Sequence, residues 1–317
     1  MIELKNLESK LLKPLKTPLI RIYDSKNNNV LYLKDETRQY TGAFKYRGVY
    51  NKILHTDLES YNGVITASTG NHGQAVANIC NQLQLGSYIV VPFTTPQNKL
   101  EKIRSYNANI ISNENLKDYN QCVRFAKNYS KKNNLLYIPS FDDELIIRGH
   151  QSIFDEIASE GVNIDIAFCQ IGGGGLISAM TTHDSFKNVY VCGVELENAD
   201  SMRVSLRANK IKTLIINQSC KSFCEGVLVS RVGELPFNIL KTKDINIDVV
   251  TEDDVKLAIK FLHKYNIMAE GAGAVGVAKY LKSNIKNKSI LCVISGGNID
   301  KDIWEEIINE TRLNRWG

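Results

Sequence analysis

Four short segments of this chain hold residue types that can do chemistry. Thr41-Gly42-Ala43-Phe44-Lys45 places a lysine behind a glycine turn, and Ser68-Thr69-Gly70-Asn71-His72-Gly73 joins hydroxyls, a carboxamide and an imidazole to two glycines. Gly172, Gly173, Gly174 and Gly175 form an unbroken glycine run, and Ser295-Gly296-Gly297-Asn298 is a polar loop after a late apolar run. A free lysine amine has a pKa of about 10.4 and attacks poorly at neutral pH. Bonded to an aldehyde as an imine, it anchors a cofactor and is released when a substrate amine takes its place. Consecutive glycine N–H groups curl around an anion. The ordered set suits an aldehyde cofactor that carries a phosphate.

Each segment has a plainer reading. One lysine among many is ordinarily a surface residue, so Lys45 depends on its flanking pattern. The glycine run could be a flexible turn, but four glycines at an element junction are costly without a purpose. It is not a Walker loop, because Leu176 and Ile177 stand where Lys and Ser/Thr are needed, and it lacks the third glycine of a dinucleotide fingerprint. A literal G-x-G-x-x-G occurs at Gly271, Gly273 and Gly276, with no β-branched strand before it and no acid in the next twenty residues. It reads as close helix packing, with Glu270 turned to a crevice. Ser68 and the N–H groups of its loop suit a carboxylate, and Asn71 can donate to a phenolate-like oxygen. His72 lacks the G-x-S-x-G elbow of a hydrolase triad.

These loops need elements to hold them. Short β-branched runs over 64–67, 88–91, 109–111, 135–138, 165–170, 189–195, 245–250 and 289–294 alternate with amphipathic stretches such as 74–85, 96–106 and 116–132. Strand–helix alternation predicts an α/β fold with mostly parallel sheets covered by helices. Ligands in such folds sit beyond the carboxyl ends of strands. Ser68 to Gly73, Gly172 to Gly175 and Ser295 to Asn298 all follow strand candidates and are expected to converge on one crevice. Thr251-Glu252-Asp253-Asp254 reads as a helix start, with Thr251 as cap and acids in the first turn.

Composition bounds the alternatives. The chain has 317 residues, 43% of them apolar, and a net charge of +5 from lysines interleaved with acids. Ser130-Lys131-Lys132 and Lys286-Asn287-Lys288 have no aromatic neighbours for base stacking, so no nucleic-acid partner is expected. No apolar run reaches the roughly 18 residues of a membrane span, and the first residues lack a signal-peptide core, which gives the expectation of a cytoplasmic protein without a membrane partner. Seven scattered cysteines (Cys80, Cys122, Cys169, Cys192, Cys220, Cys224 and Cys292) read as reduced, mostly buried thiols. Cys220 and Cys224 have no second pair at zinc spacing, so no zinc is expected.

The whole set resembles the fold-type II pyridoxal-phosphate enzymes, built like the tryptophan synthase β chain, and within them the threonine/serine dehydratase and serine racemase group. The likeness runs from Lys34-Asp35-Glu36 through the lysine motif, Phe141-Asp142-Asp143, Glu225-Gly226-Val227, Arg231-Val232-Gly233-Glu234-Leu235 and Glu270-Gly271-Ala272-Gly273-Ala274 to Val293-Ile294-Ser295-Gly296-Gly297-Asn298. It implies pyridoxal 5'-phosphate as cofactor, with Lys45 as the Schiff-base lysine and Phe44 packed on the ring. It implies Asn71 at the phenolic oxygen, Gly172 to Gly175 with Leu176 at the phosphate, Glu270 near the cofactor and Ser295 at the pyridine nitrogen. Ser68, Thr69, Gly70, Asn71 and His72 would cradle the carboxylate of a small amino-acid substrate. It implies two α/β domains, a large one over 1–62 and 141–317 and a small mobile one over 63–140, in a homodimer.

The expected activity is an ammonia-lyase that converts L-threonine or L-serine to a 2-oxo acid. The alternatives are a serine racemase, a lyase for another β-substituted amino acid such as 3-hydroxyaspartate, or a regulatory protein that holds the cofactor without turnover. Racemases of the group carry Ser where this chain has Thr69, which keeps the hydroxyl, whereas many dehydratases have Ala. The racemase-type divalent-metal site uses a Glu, a backbone carbonyl and an Asp. Glu195 and Ala199 match, but Ser201 stands at the Asp position with Asp200 one residue early, so no metal is expected. Glu225 replaces the usual Asp, and Arg148, His150 and Gln151 replace Ala, Gln and Gly. The extra regulatory domain of biosynthetic threonine dehydratases is missing from the sequence, so isoleucine feedback is not expected.

Overall fold

A computed structural model describes residues 4–216 and 222–310; Cys220 lies outside them. The described strands are β1 (Leu19–Asp24), β2 (Asn29–Asp35), β3 (Val64–Ala67), β4 (Ser87–Val90), β5 (Asn109–Ile111), β6 (Leu136–Tyr137), β7 (Ile166–Gln170), β8 (Tyr190–Leu196), β9 (Asn246–Val250) and β10 (Ser289–Ile294). The chain divides into two compact units. One gathers the chain up to Leu15, Gln39–Thr41 and Lys45–His150; the other gathers Lys16–Arg38, Gly42–Phe44 and the chain from Gln151 on.

The first unit is built on a parallel four-stranded sheet ordered β5-β4-β3-β6. Its central strands β3 and β4 are buried on both faces, which is why they read as near-continuous apolar runs. Ile65, Ala67 and Val90 meet Cys122 and Ala126 of the Tyr119–Asn133 helix. Val64, Ile89 and Val91 share a core with Val76, Ile79 and Cys80 of the Asn71–Gln82 helix and with Val49 and Ile53 of the Lys45–Leu54 helix. The helix anticipated from Gln74 begins three residues sooner, at Asn71. Gly70 leaves the helical backbone region, and its N–H is taken by Ser68 Oγ at 3.2 Å, so the turn tightens before the amphipathic pattern starts.

The second unit holds a six-stranded sheet ordered β1-β2-β10-β7-β8-β9, parallel except for the β1–β2 hairpin. The Gly271–Lys282 helix, which carries the literal G-x-G-x-x-G, covers it. Close packing is its role: a Cβ on Gly273 would lie 2.5 Å from the Gly296 carbonyl oxygen. The Glu252–His263 helix starts as its sequence predicts. Thr251 Oγ1 accepts from the Asp254 N–H at 3.2 Å, and Asp254 returns a bond to the Thr251 N–H at 2.9 Å. Such a box supplies partners for amides that the first helical turn leaves open.

The six described cysteines are buried thiols, and burial pushes those of Cys80, Cys122 and Cys192 up to about 12. No described helix is long and apolar enough to cross a membrane.

One charged cluster fixes the entry to this sheet. Lys34, on β2, is 1% exposed, and its Nζ donates to Glu156 Oε2 at 2.5 Å and to the Thr17 carbonyl at 2.7 Å. Thr17 also donates through its hydroxyl to Glu36 at 2.5 Å. Removing one partner of such a pair leaves the other charged and desolvated, which costs about 3–5 kcal/mol. Lys34→Met is expected to lower the unfolding free energy in urea by about that amount. The Lys34→Met/Glu156→Leu double variant should recover most of it; equal losses in both would show that the pairing is not what matters.

Candidate active site

In the second unit the site starts from β10. Its last residue is followed by Ser295, which is 4% exposed. The Ser295 carbonyl accepts the Phe44 N–H at 3.0 Å, and the Gly297 N–H donates to the Gly42 carbonyl at 2.9 Å, with Ala43 and Gly296 paired as an antiparallel bridge. The residues just before Lys45 are thus clamped to the loop that ends the sheet. Gly42 has φ +72°, and Thr41 before it has φ +60°, a region a β-branched residue seldom enters. The Gly296 carbonyl also accepts the Glu270 N–H at 3.0 Å, which fixes the start of the Gly271–Lys282 helix on the same loop.

The glycine run follows β7, the parallel neighbour of β10, so both loops lie along one edge of the sheet. Gly174 has φ +97°, and a Cβ there would meet Pro236 Cβ at 2.6 Å and Met202 Cε at 2.8 Å. A Cβ on Gly172 would stand 2.7 Å from the Gly226 carbonyl oxygen. The Gly173 carbonyl accepts the Gly233 N–H at 3.1 Å. Side chains are excluded, so backbone N–H groups are what this loop can offer an anion. Leu176 is buried at 5% exposure within the Gly175–Thr181 helix that follows.

In the first unit, Lys45 opens the Lys45–Leu54 helix, and its Nζ donates to the Ser140 carbonyl at 2.6 Å. Burial lowers the amine from 10.5 to about 8, because the charged form is the one that loses most on desolvation. Ser68, Thr69, Gly70 and Asn71 follow β3, and Ser140 follows β6, the parallel neighbour of β3. The Ser68 loop and the Lys45 acceptor therefore share the carboxyl end of that sheet.

His72 is 3% exposed, and its Nε2 lies 3.2 Å from the Ile138 carbonyl. Burial, with Lys45 adding repulsion, lowers its pKa to about 3. The ring is therefore neutral near pH 7, with Nε2–H as donor, and Nδ1 carries the lone pair. His150 packs on the Lys45–Leu54 helix at Gly48 and is held neutral by the same two causes, burial first and then Lys45.

Of the three loops expected at strand ends, two crown the six-stranded sheet and the third crowns the four-stranded one. Sequence reasoning missed Ser140, whose carbonyl serves Lys45; a backbone acceptor leaves no side-chain signal. It also missed Tyr119, whose hydroxyl lies 3.4 Å from Ser140 Oγ. Glu195 is 0% exposed and its two oxygens accept the N–H groups of Met202 and Arg203 at 2.8 Å each, against burial that pushes its carboxyl up to about 8.

Known proteins share this architecture. The family described as "Pyridoxal-phosphate dependent enzyme" matches residues 11–296. An L-threonine ammonia-lyase of Thermotoga maritima is 36% identical over 285 residues, covering 88% of this chain and 70% of that protein. The solved structure of the processed form of threonine deaminase isoform 2 from Solanum lycopersicum superposes with a TM-score of 0.83 at 32% identity, over 99% of this chain and 94% of that one. Maize serine racemase gives a TM-score of 0.83 at 25% identity, over 96% and 95% of the two chains. A strand–helix fold with a glycine loop at the end of β7, matched by the family over residues 11–296, makes the chain a member of the pyridoxal-phosphate-dependent enzymes of fold type II.

Proposed function

We propose that the chain is an L-threonine/L-serine ammonia-lyase that releases a 2-oxo acid and ammonia by α,β-elimination. The observation that carries this reading is Lys45: a buried amine lowered to about 8, held by the Ser140 carbonyl, on a backbone clamped at Phe44 to Ser295. The threonine ammonia-lyase and threonine deaminase relatives support the choice of substrate.

The residues fit the cofactor. A loop that rejects side chains at Gly172 and Gly174 suits a phosphate, and a buried neutral hydroxyl at Ser295 suits a pyridine nitrogen that stays unprotonated. When bound, pyridoxal phosphate supplies an aldehyde that captures amines and a ring that takes up electrons as the α-proton leaves.

The chain's own groups do the rest. Gly172 to Gly175 and Leu176 would hold the phosphate by backbone N–H groups, Phe44 and Glu270 would border the ring, and Asn71 would donate to the phenolic oxygen. Ser68, Thr69, Gly70, Asn71 and His72 receive the substrate carboxylate, His72 as a neutral ring. Lys45 Nζ accepts the α-proton, a task for which an amine near pH 8 is matched. Ser295, a neutral hydroxyl, would leave the pyridine nitrogen unprotonated, which would moderate electron withdrawal and favour loss of the β-hydroxyl over transamination.

The division into a large cofactor domain over 1–62 and 141–317 and a small domain over 63–140 that moves with substrate belongs to the same reading. So do a homodimeric assembly and a cytoplasmic location.

Thr69 favours a second reading. Its hydroxyl can hand a proton to the face of the α-carbon opposite Lys45, which is racemase chemistry, and serine racemase is among the structural relatives.

Lys45→Ala is expected to lose the visible absorbance of the bound cofactor and to lower ammonia release from L-threonine and L-serine by at least about 10³-fold; retention of both would overturn the assignment. Below its folded pKa the lysine is protonated and unreactive, so cofactor rebinding to the apoprotein should quicken as pH rises, with a midpoint near 8 instead of 10.5. Stopped-flow absorbance across pH 6 to 10 checks this, and a midpoint above about 10 would contradict the buried amine. Chiral chromatography of products from Thr69→Ala decides the second reading. Elimination without D-serine is expected of that variant, and D-serine formation equal to that of the unaltered enzyme would remove Thr69 from proton transfer.

A further inference from the structure

Two buried acids stand beside the glycine loop without a part in the chemistry above. Glu195 lies near the end of β8, and Asp200 precedes the Ser201–Arg207 helix; they are 0% and 8% exposed. Buried acids five residues apart at a strand end are starting material for a hard-cation site, which takes six or more oxygens in an open shell. Here three of the four carboxylate oxygens already accept hydrogen bonds from the chain. Glu195 Oε1 accepts the Met202 N–H and Oε2 accepts the Arg203 N–H, each at 2.8 Å. Asp200 Oδ2 accepts from Arg203 Nη2 in an ion pair whose side chains are 12% and 25% exposed. Ser201 contributes a neutral hydroxyl, buried without a hydrogen-bond partner among the described residues. These donors do not fit a divalent cation.

We infer that the guanidinium of Arg203 occupies the place of an inorganic cation in this corner, so that the chain needs no divalent metal to hold it. A guanidinium is planar and keeps its charge at every working pH; here Nη2 pairs with Asp200, and Nε is buried without a hydrogen-bond partner among the described residues. The corner matters because Met202 sits between the residues it fixes. Met202 Cε lies 2.8 Å from the point a Cβ on Gly174 would occupy, so the lock on 200–203 also holds a wall of the glycine loop. A chain-borne charge cannot be stripped by a chelator or exchanged for another ion.

The test is thermal unfolding of the purified, cofactor-loaded protein, with EDTA and then with Mg²⁺, Ca²⁺ or Mn²⁺ added singly. The unaltered protein should keep its midpoint within about one degree under all these conditions. Arg203→Met should lower the midpoint by several degrees, and Arg203→Lys by clearly less. Ser201→Asp/Arg203→Met, which removes the guanidinium and adds a carboxylate, should gain a midpoint that rises with millimolar divalent cation. The inference fails if EDTA lowers the midpoint of the unaltered protein and a divalent ion restores it, an arm that needs no variant to fold. It fails equally if Arg203→Met melts with the unaltered protein, if Arg203→Lys falls as far as Arg203→Met, or if the double variant ignores cations. These readouts are independent of which amino acid the enzyme consumes.

Discussion

Two backbone hydrogen bonds carry the rest of the structure: Phe44 N–H to the Ser295 carbonyl, and Gly297 N–H to the Gly42 carbonyl. They make a short antiparallel ladder between a loop near residue 43 and the end of β10, some 250 positions later in the chain. Because the ladder uses main-chain groups, it fixes position without spending any side chain. Lys45 follows the clamped Phe44 directly in the chain. A non-glycine residue at φ +60° costs of order 1–3 kcal/mol and persists only where its surroundings dictate it. Thr41 is held in this way immediately ahead of the clamp.

The groups around the lysine are kept neutral by burial instead of being balanced by opposite charge. His72 falls to about 3, and Lys45 is lowered to about 8. The network of Lys34, Glu156, Thr17 and Glu36 shows the other solution, charge met by charge, and it serves the framework.

Much of this was legible in the sequence because the chemistry lies in local strings. The runs of β3, β5 and β10 were read to the residue, and the glycine loop, Thr251 and the helix at Gly271 have the structural character their residues suggested. The strands β1 and β2 were not recognised. In β1 half-buried residues alternate with exposed ones at a sheet edge, and β2 ends in Lys34 and Asp35, whose charges hide a buried strand. The Ser140 acceptor, the ladder at Ala43 and the packing of His150 on Gly48 are contacts between distant positions, and one sequence carries no mark of them. Gly172 and Gly174 were singled out as an anion loop, yet their neighbours alone would demand glycine there. Pro236, Met202 and Gly226 leave no room for a side chain, so packing and ligand binding ask for the same residue.

The six described cysteine thiols, all buried, have one further consequence. Nucleophilic sulfur is the thiolate, and groups held near 12 or above scarcely form it. Alkylating reagents and peroxides can then reach Cys80, Cys122, Cys169, Cys192, Cys224 and Cys292 only when the surrounding layer opens. The pace at which each is consumed becomes a local clock for breathing of the fold, one that ticks separately beneath each sheet.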